Sequence, residues 1–319
     1  MIRGKSVRIV AFAVLLCGAM QAQGTSGADE LFEQASAATR ASDFDKAEFF
    51  LREMRSQFPQ DLRWGTALIG VLESKGRVGD ALKLAQEIRP QHLRDPFYFY
   101  QRGRLLVNMD REREAVDDFQ TAIRLSDSSG VQGIAYLMMG EAYRQLDELG
   151  EAITAFRKAK EITGRATIQL ALALDGKGDR AGAVAEYRAV LKQNPNDAVA
   201  LNNLAYGWAE RGENLDEAYS YALRAVSAGP GDSNFVDTLA WVYFQRGMLG
   251  DAEQTMVSAL LKEGGNHPTL REHLAQVMDA RGQWTADRRA LRALLNGEPD
   301  VDQVVKIRQL LRKMQTPEK

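Results

Sequence analysis

The sequence predicts an all-α protein, a solenoid of about eight helix–turn–helix repeats closed by a C-terminal capping helix. Three observations predict it. The chain is rich in Ala, Leu, Glu, Arg and Gln and has only 8 prolines among 319 residues, a helical composition. An alanine anchor, with an apolar or aromatic residue four positions on, recurs at a nearly fixed period. Small residues, large apolar residues and glycines then recur in phase with that anchor.

The first element is a leader at residues 1–24. Arg3, Lys5 and Arg8 precede an apolar run beginning Ile9–Leu16, and small or polar residues follow. This is the layout of a secretory signal, with cleavage after Ala19, Ala22 or Gly24. The run is shorter than the ~20 residues of a membrane-spanning helix. Export to the periplasm or the exterior is therefore expected, with no direct membrane span after processing. An uncleaved anchor or a lipid on Cys17 are the competing readings. Leu16 before Cys17 departs from the small residue that lipoprotein signals want. Cys17 is the one cysteine, so the chain beyond the leader has no disulfide and must be held by packing.

The anchor pairs are Ala47 with Leu51, Ala81 with Ala85, Ala115 with Phe119, Ala152 with Phe156, Ala183 with Tyr187, Ala218 with Ala222 and Ala252 with Met256. A degenerate eighth copy places Asp287 and Leu291 there. Their spacings run 34, 34, 37, 31, 35, 34 and 35 residues, the signature of a stacked array. Ala35, Gly103, Gly140, Ala171, Ala205, Ala240 and Ala275 mark a small site where two helices cross closely. Large residues come three later at Leu106, Tyr143, Leu174, Trp208, Tyr243 and Met278. Gly76, Gly178, Gly212, Gly247 and Gly282 fall at the turn between helices, where a left-handed backbone is wanted. Asp80, Glu114, Glu151 and Asp251 suit the first turn of the second helices. Pro59, Pro195, Pro230 and Pro299 close repeats.

These residues resemble the tetratricopeptide-repeat family, most closely in Leu201–Asn–Asn–Leu–Ala–Tyr to Pro230 and Val236–Asp–Thr–Leu–Ala–Trp to Ala259. The resemblance implies a right-handed superhelix. It divides the chain into repeats at 28–61, 62–95, 96–129, 133–163, 164–197, 198–232, 233–267 and a degenerate 268–301, followed by a capping helix and tail at 302–319. Gly65 stands in repeat 2 where a large apolar residue is usual, and Gly130–Val131–Gln132 lengthens a junction. A kink is expected between repeats 1–3 and repeats 4–8. In the last segment Val304, Ile307, Leu311 and Met314 form the apolar stripe of a cap over the final repeat.

The residues point away from catalysis. His92, His267 and His273 lack the three- or four-residue spacing that aligns two metal ligands on a helix. Gly176–Lys177–Gly178 lacks the strand and the Ser or Thr of a phosphate loop and reads as a turn. No enzyme activity, cofactor or metal is expected. Nucleic acid is excluded as a partner on charge: the formal net charge is −2, and −5 without Arg3, Lys5 and Arg8, with no basic cluster.

What remains is binding of a protein or peptide. The resemblance implies that first helices line a concave groove, and it assigns to that groove Phe32 and Ser36; Tyr100, Arg104 and Asn108; Glu141 and Arg144; Leu172 and Asp175; Asn202, Tyr206 and Glu210; Asp237, Trp241 and Phe244; and Glu272, Gln276 and Asp279. Tyr206, Trp241 and Phe244 are the densest aromatic group, beside Asn202 and Asn203 with amides free to grip a backbone. Trp208 and Tyr243 are assigned to internal packing instead. No lysine falls in the groove, so the family's terminal-carboxylate mode is not expected. The expected occupant is an apolar helix or extended segment of a partner in the cell envelope. Self-association and service as an accessory subunit of an enzyme are the competing readings.

Overall fold

The computed structural model describes residues 26–262 and 268–281. The expected leader, Cys17, the second half of the eighth repeat, and the capping helix at 302–319 lie outside them. The described residues are helical, without a strand among them. The helices come as successive hairpins: α1 (Ser26–Arg40) with α2 (Phe44–Gln57), α3 (Arg63–Ser74) with α4 (Val78–Ile88), and α5 (Pro96–Val107) with α6 (Glu112–Leu125). Then follow α7 (Ser129–Gln145) with α8 (Leu149–Thr163), α9 (Ile168–Gly176) and α10 (Arg180–Gln193), α11 (Ala198–Arg211) with α12 (Leu215–Ala228), and α13 (Ser233–Gln245) with α14 (Leu249–Lys262). A last helix, α15 (Pro268–Arg281), packs on α13 and α14.

The starts and stops follow from local chemistry. Asp43, Asp95, Asp179, Asp197 and Asp232 each cap a helix by accepting a hydrogen bond from a backbone N–H two or three residues on. Pro96 follows Asp95 at the first helical position, where its missing N–H costs nothing. Each first helix from α1 to α13 ends in one recurring closure, in which an N–H reaches back five residues: Asp43 to Ala38, Arg77 to Leu72, Arg111 to Leu106, Glu148 to Tyr143, Asp179 to Leu174, Glu213 to Trp208 and Met248 to Tyr243, at 2.8 to 2.9 Å. Such a closure needs one residue with positive φ. Gly76, Gly178, Gly212 and Gly247 supply it as expected. Ser42, Asp110 and Asp147 supply it too, at φ 60°, 55° and 62°, although they are not glycine; aspartate tolerates this region better than most residues.

The chain divides into two compact units. The first comprises residues up to Arg165 with Gly176–Gly178, and the second comprises Ala166–Asp175 with the residues from Asp179 onward. Gly130–Val131–Gln132 does not form a lengthened junction. It adds a turn to α7, whose 17 residues make it the longest of the described helices.

First helices pack on one another within each unit, as α3 does on α1 and α5, and α13 on α11 and α15. The anchor alanines 47, 81, 115, 152, 183, 218 and 252 are all buried. The small site and the residue after the anchor prove to be one device. A Cβ at Gly103 would stand 2.7 Å from the ring of Phe119, and one at Gly140 would stand 2.6 Å from that of Phe156. Gly65, which departs from the family pattern, has the same reason: its Cβ would meet Ile88 at 2.8 Å.

Polar groups link neighbouring repeats in the first unit. The buried Glu48 carboxylate receives Lys75 at 2.7 Å, Arg77 at 3.1 Å and Arg52 at 2.7 Å. Burial opposes ionisation of Glu48, but the hydrogen bonds and charges of Lys75 and Arg52 outweigh it and hold the carboxyl at about 2. Arg102 makes a two-armed ion pair with the buried Asp118.

Candidate functional site: a face of first helices in the second unit

In the second unit α11, α13 and α15 stand side by side and bring one cluster together. Asp197 caps α11 and Asp232 caps α13, so both helices begin at fixed points, and residues one repeat apart come level. His273 of α15 lies against Asp237 of α13, with its Nδ1 2.9 and 3.0 Å from the two carboxylate oxygens. The Trp241 ring stacks on the imidazole, with centroids 4.3 Å apart and planes 22° apart. Phe244 lies 4.9 Å from Trp241, and Tyr206 of α11 lies 6.5 Å from His273.

The structure brings Tyr206, Asp237, Trp241 and Phe244 together around His273, with unequal exposure. Trp241 is 6% exposed and sits beneath the imidazole and Phe244, so it is a packing element of the cluster rather than a ring standing free in a groove. Asp237 is buried as well, committed to His273. Tyr206 and Phe244 are half-buried and carry the accessible aromatic edge. Tyr243, assigned to internal packing, is half-buried against Tyr219 at 5.5 Å.

Asn203 does not have a wholly free amide, because its Nδ2 donates to the Val199 carbonyl at 2.8 Å. The neighbouring Asn202 Oδ1 is buried without a hydrogen-bond partner, as is Trp241 Nε1. A buried polar group left unbonded costs ~1–3 kcal/mol. Burial, and then the adjacent Glu210 carboxylate, push the Tyr206 phenol up to about 12. It stays a neutral donor at any physiological pH.

His273 is the residue that the sequence reading missed. Its spacing from His267 does not suit a metal pair, yet its carboxylate partner lies 36 residues away, close to one repeat period. That interval was the available signal. Among the described residues no group of three His, Cys, Asp or Glu is arranged to hold a metal ion. The Asp237–His273 pair, buried against Trp241, cross-braces α13 and α15.

In the first unit Tyr100 and Arg104 are committed to each other and to the neighbouring repeat. The Arg104 guanidinium lies over the Tyr100 ring at 5.8 Å and donates to Glu73 at 2.8 Å, where Asn108 also donates at 3.3 Å. Burial pushes the Glu73 carboxyl up despite Arg104. Phe32 likewise lies under Arg63, 4.9 Å from its guanidinium. These side chains stitch first helices together and leave little free hydrogen-bonding capacity.

Stacked helical hairpins with a shared first-helix face define a repeat module that presents a surface. Models of the tetratricopeptide repeat match residues 98–129, 134–165 and 168–233. The chain carries tetratricopeptide repeats. A tetratricopeptide-repeat-containing protein of Pseudomonas aeruginosa is 33% identical over 84 residues, which is 26% of this chain but only 14% of that protein. A chain of the APC/C hetero-tetramer Cut9–Hcn1 superposes with a TM-score of 0.59 at 15% identity, over 77% of this chain and 48% of that one. A tetratricopeptide repeat protein from Parabacteroides merdae does so with a TM-score of 0.55 at 17% identity, over 80% of this chain and all of that one. At such identities the likeness is one of fold. No helix among the described residues is long and apolar enough to cross a membrane.

Proposed function

We propose that this chain is a non-catalytic scaffold or adaptor of the cell envelope that binds a segment of a partner protein across α11, α13 and α15. One observation carries the reading: the Tyr206–His273–Trp241–Phe244 cluster, whose buried members hold half-buried Tyr206 and Phe244 in place. Rigid aromatic edges over a braced floor are how interfaces concentrate binding energy in a few anchors. Repeats of this family generally mediate contacts between proteins, which supports a protein as the ligand. The envelope location rests on the basic and apolar character of residues 1–24.

The test is site-specific photocross-linking in the native host. A cross-linker replacing Tyr206 or Phe244 should capture one and the same protein from the envelope fraction, while one replacing Ser220, exposed on α12, should not. Capture from all three positions alike, or of copies of this chain alone, overturns the reading.

A further inference from the structure

Beside this cluster, still within the second unit, lies a cavity of about 130 Å³ framed by α10, α11 and the end of α9. Asn203 and Tyr206 border it, so it adjoins the aromatic cluster. Its inner walls are the buried Tyr187 and Leu204 and the half-buried Val184 and Gly207. Its rim carries four exposed charged groups, Asp175 and Glu210 against Arg180 and Arg211.

We infer that this cavity takes one uncharged, leucine-sized side chain of the bound partner, seated against Val184, Leu204 and the bare Cα of Gly207. The inference rests on the proposed function and names the chemistry of one contact in it.

Gly207 is the first argument. It is an interior residue of α11 whose φ is not positive, so the backbone does not require glycine. Glycine is the poorest helix former after proline. At Gly103 and Gly140 packing explains it, because a Cβ would strike a phenylalanine ring. At Gly207 a Cβ would meet only the tip of Arg211, at 3.6 Å, an ordinary contact. Packing does not require glycine there either. What the missing side chain does is leave the wall of the cavity open.

Size is the second argument. Drug-sized ligands fill ~300–1,000 Å³, whereas a cavity of ~150 Å³ holds a single benzene-sized group. The site therefore accepts one side chain. Polarity is the third. Burial, and then Asp175, push the Tyr187 phenol up, as befits an inner wall screened from water. A charged tip placed there would lose its hydration. At the rim two acids stand against two arginines, so neither sign is selected. An uncharged side chain loses no hydration of a charge on entry and removes its apolar surface from water.

The test uses the full chain, isotopically labelled and titrated with N-acetyl-leucinamide or its alanine, lysine and glutamate counterparts, with amide shifts read by NMR. The leucine derivative should give saturable shifts at Val184 and Leu204. Each buried CH2 strengthens binding ~4-fold, so the alanine derivative, three carbons shorter, should bind at least ~10-fold more weakly. The lysine and glutamate derivatives should give no saturable shift at these residues. Gly207→Leu fills the cavity from its own wall, and Gly207→Ala fills part of it. Both place a better helix former in α11, so both should melt at or above the parent temperature. The leucine variant should abolish the shifts and the alanine variant should weaken them. Equal binding of the lysine derivative, leucine binding unchanged by both variants, or no saturable shift with any probe overturns the inference. So does a lower melting temperature in Gly207→Ala, which would show that packing requires the glycine. Its failure is separable from failure of the proposed function. If cross-linkers at Tyr206 and Phe244 capture the same partner in the Gly207→Leu background as in the parent, the cavity is misassigned and the adaptor reading stands. If the leucine derivative binds as expected and the cross-linkers capture nothing, the reverse holds.

Discussion

Gly103→Ala should destabilise the protein although it replaces glycine by the best helix former in the interior of a helix. Left to propensity, the change would stabilise α5 by ~1 kcal/mol. The structure opposes it. The new Cβ would stand 2.7, 2.9 and 3.0 Å from three atoms of the Phe119 ring, and Phe119 is fully buried in α6. The ring cannot withdraw without displacing its neighbours, and overpacking of this kind costs ~1–3 kcal/mol. The net expectation is a loss of about 1 kcal/mol. Gly70→Ala is the internal control in the same unit, since its Cβ would meet only Gln101 Nε2 at an ordinary 3.5 Å. There propensity should win, for a gain of up to ~1 kcal/mol. The two variants should therefore differ by about 2 kcal/mol in opposite directions. Because a solenoid opens locally, hydrogen exchange of the α5 and α6 amides should be read beside denaturant unfolding. If Gly103→Ala matched or exceeded Gly70→Ala in stability, the account of the small site as a seat for the phenylalanine ring would be wrong.

Three further outcomes are expected. Trp241→Ala should destabilise by ~3–5 kcal/mol as a core truncation, and an unchanged melting profile would return Trp241 to the role of a free anchor. Glu48→Gln should cost about 2 kcal/mol at neutral pH, less than the full shift at ~1.4 kcal/mol per pH unit because Arg52 and Arg77 are partly in solvent. The folded carboxyl is depressed from 4.5 to about 2, so the stabilisation is present above pH 4.5 and fades as pH falls toward 2. A parent–variant difference that grew on acidification would contradict it. Ser42→Gly should stabilise by ~1 kcal/mol, because φ there is 60° and a side chain resists that backbone region, and a loss in thermal unfolding would show the serine to be otherwise anchored.

Much of this was legible because a repeat writes each structural demand several times. Alanine at the anchor and large residues at Leu106, Tyr143, Leu174 and Trp208 recur since every hairpin buries the same corner. Those large residues also hold the carbonyls that close their helices. Where a demand can be met by more than one residue, the pattern faded. The positive-φ turn was visible at Gly76 and hidden at Ser42, Asp110 and Asp147, though all stand five residues before an anchor alanine. Gly65 looked like a defect because its partner, Ile88, lies on another helix.

The candidate site divides the same way. Sequence placed Tyr206, Asp237, Trp241 and Phe244 on adjacent first helices, because a period near 34 residues decides which positions come level. It could not decide which side chain covers which. That Trp241 lies under His273, that Asp237 is taken by the imidazole, and that Tyr187 keeps an unbonded hydroxyl beside a cavity depend on rotamers and packing between helices one repeat apart. Period and propensity act along the chain and are written in it. Burial and partner choice are settled only when separate helices compete for the same space.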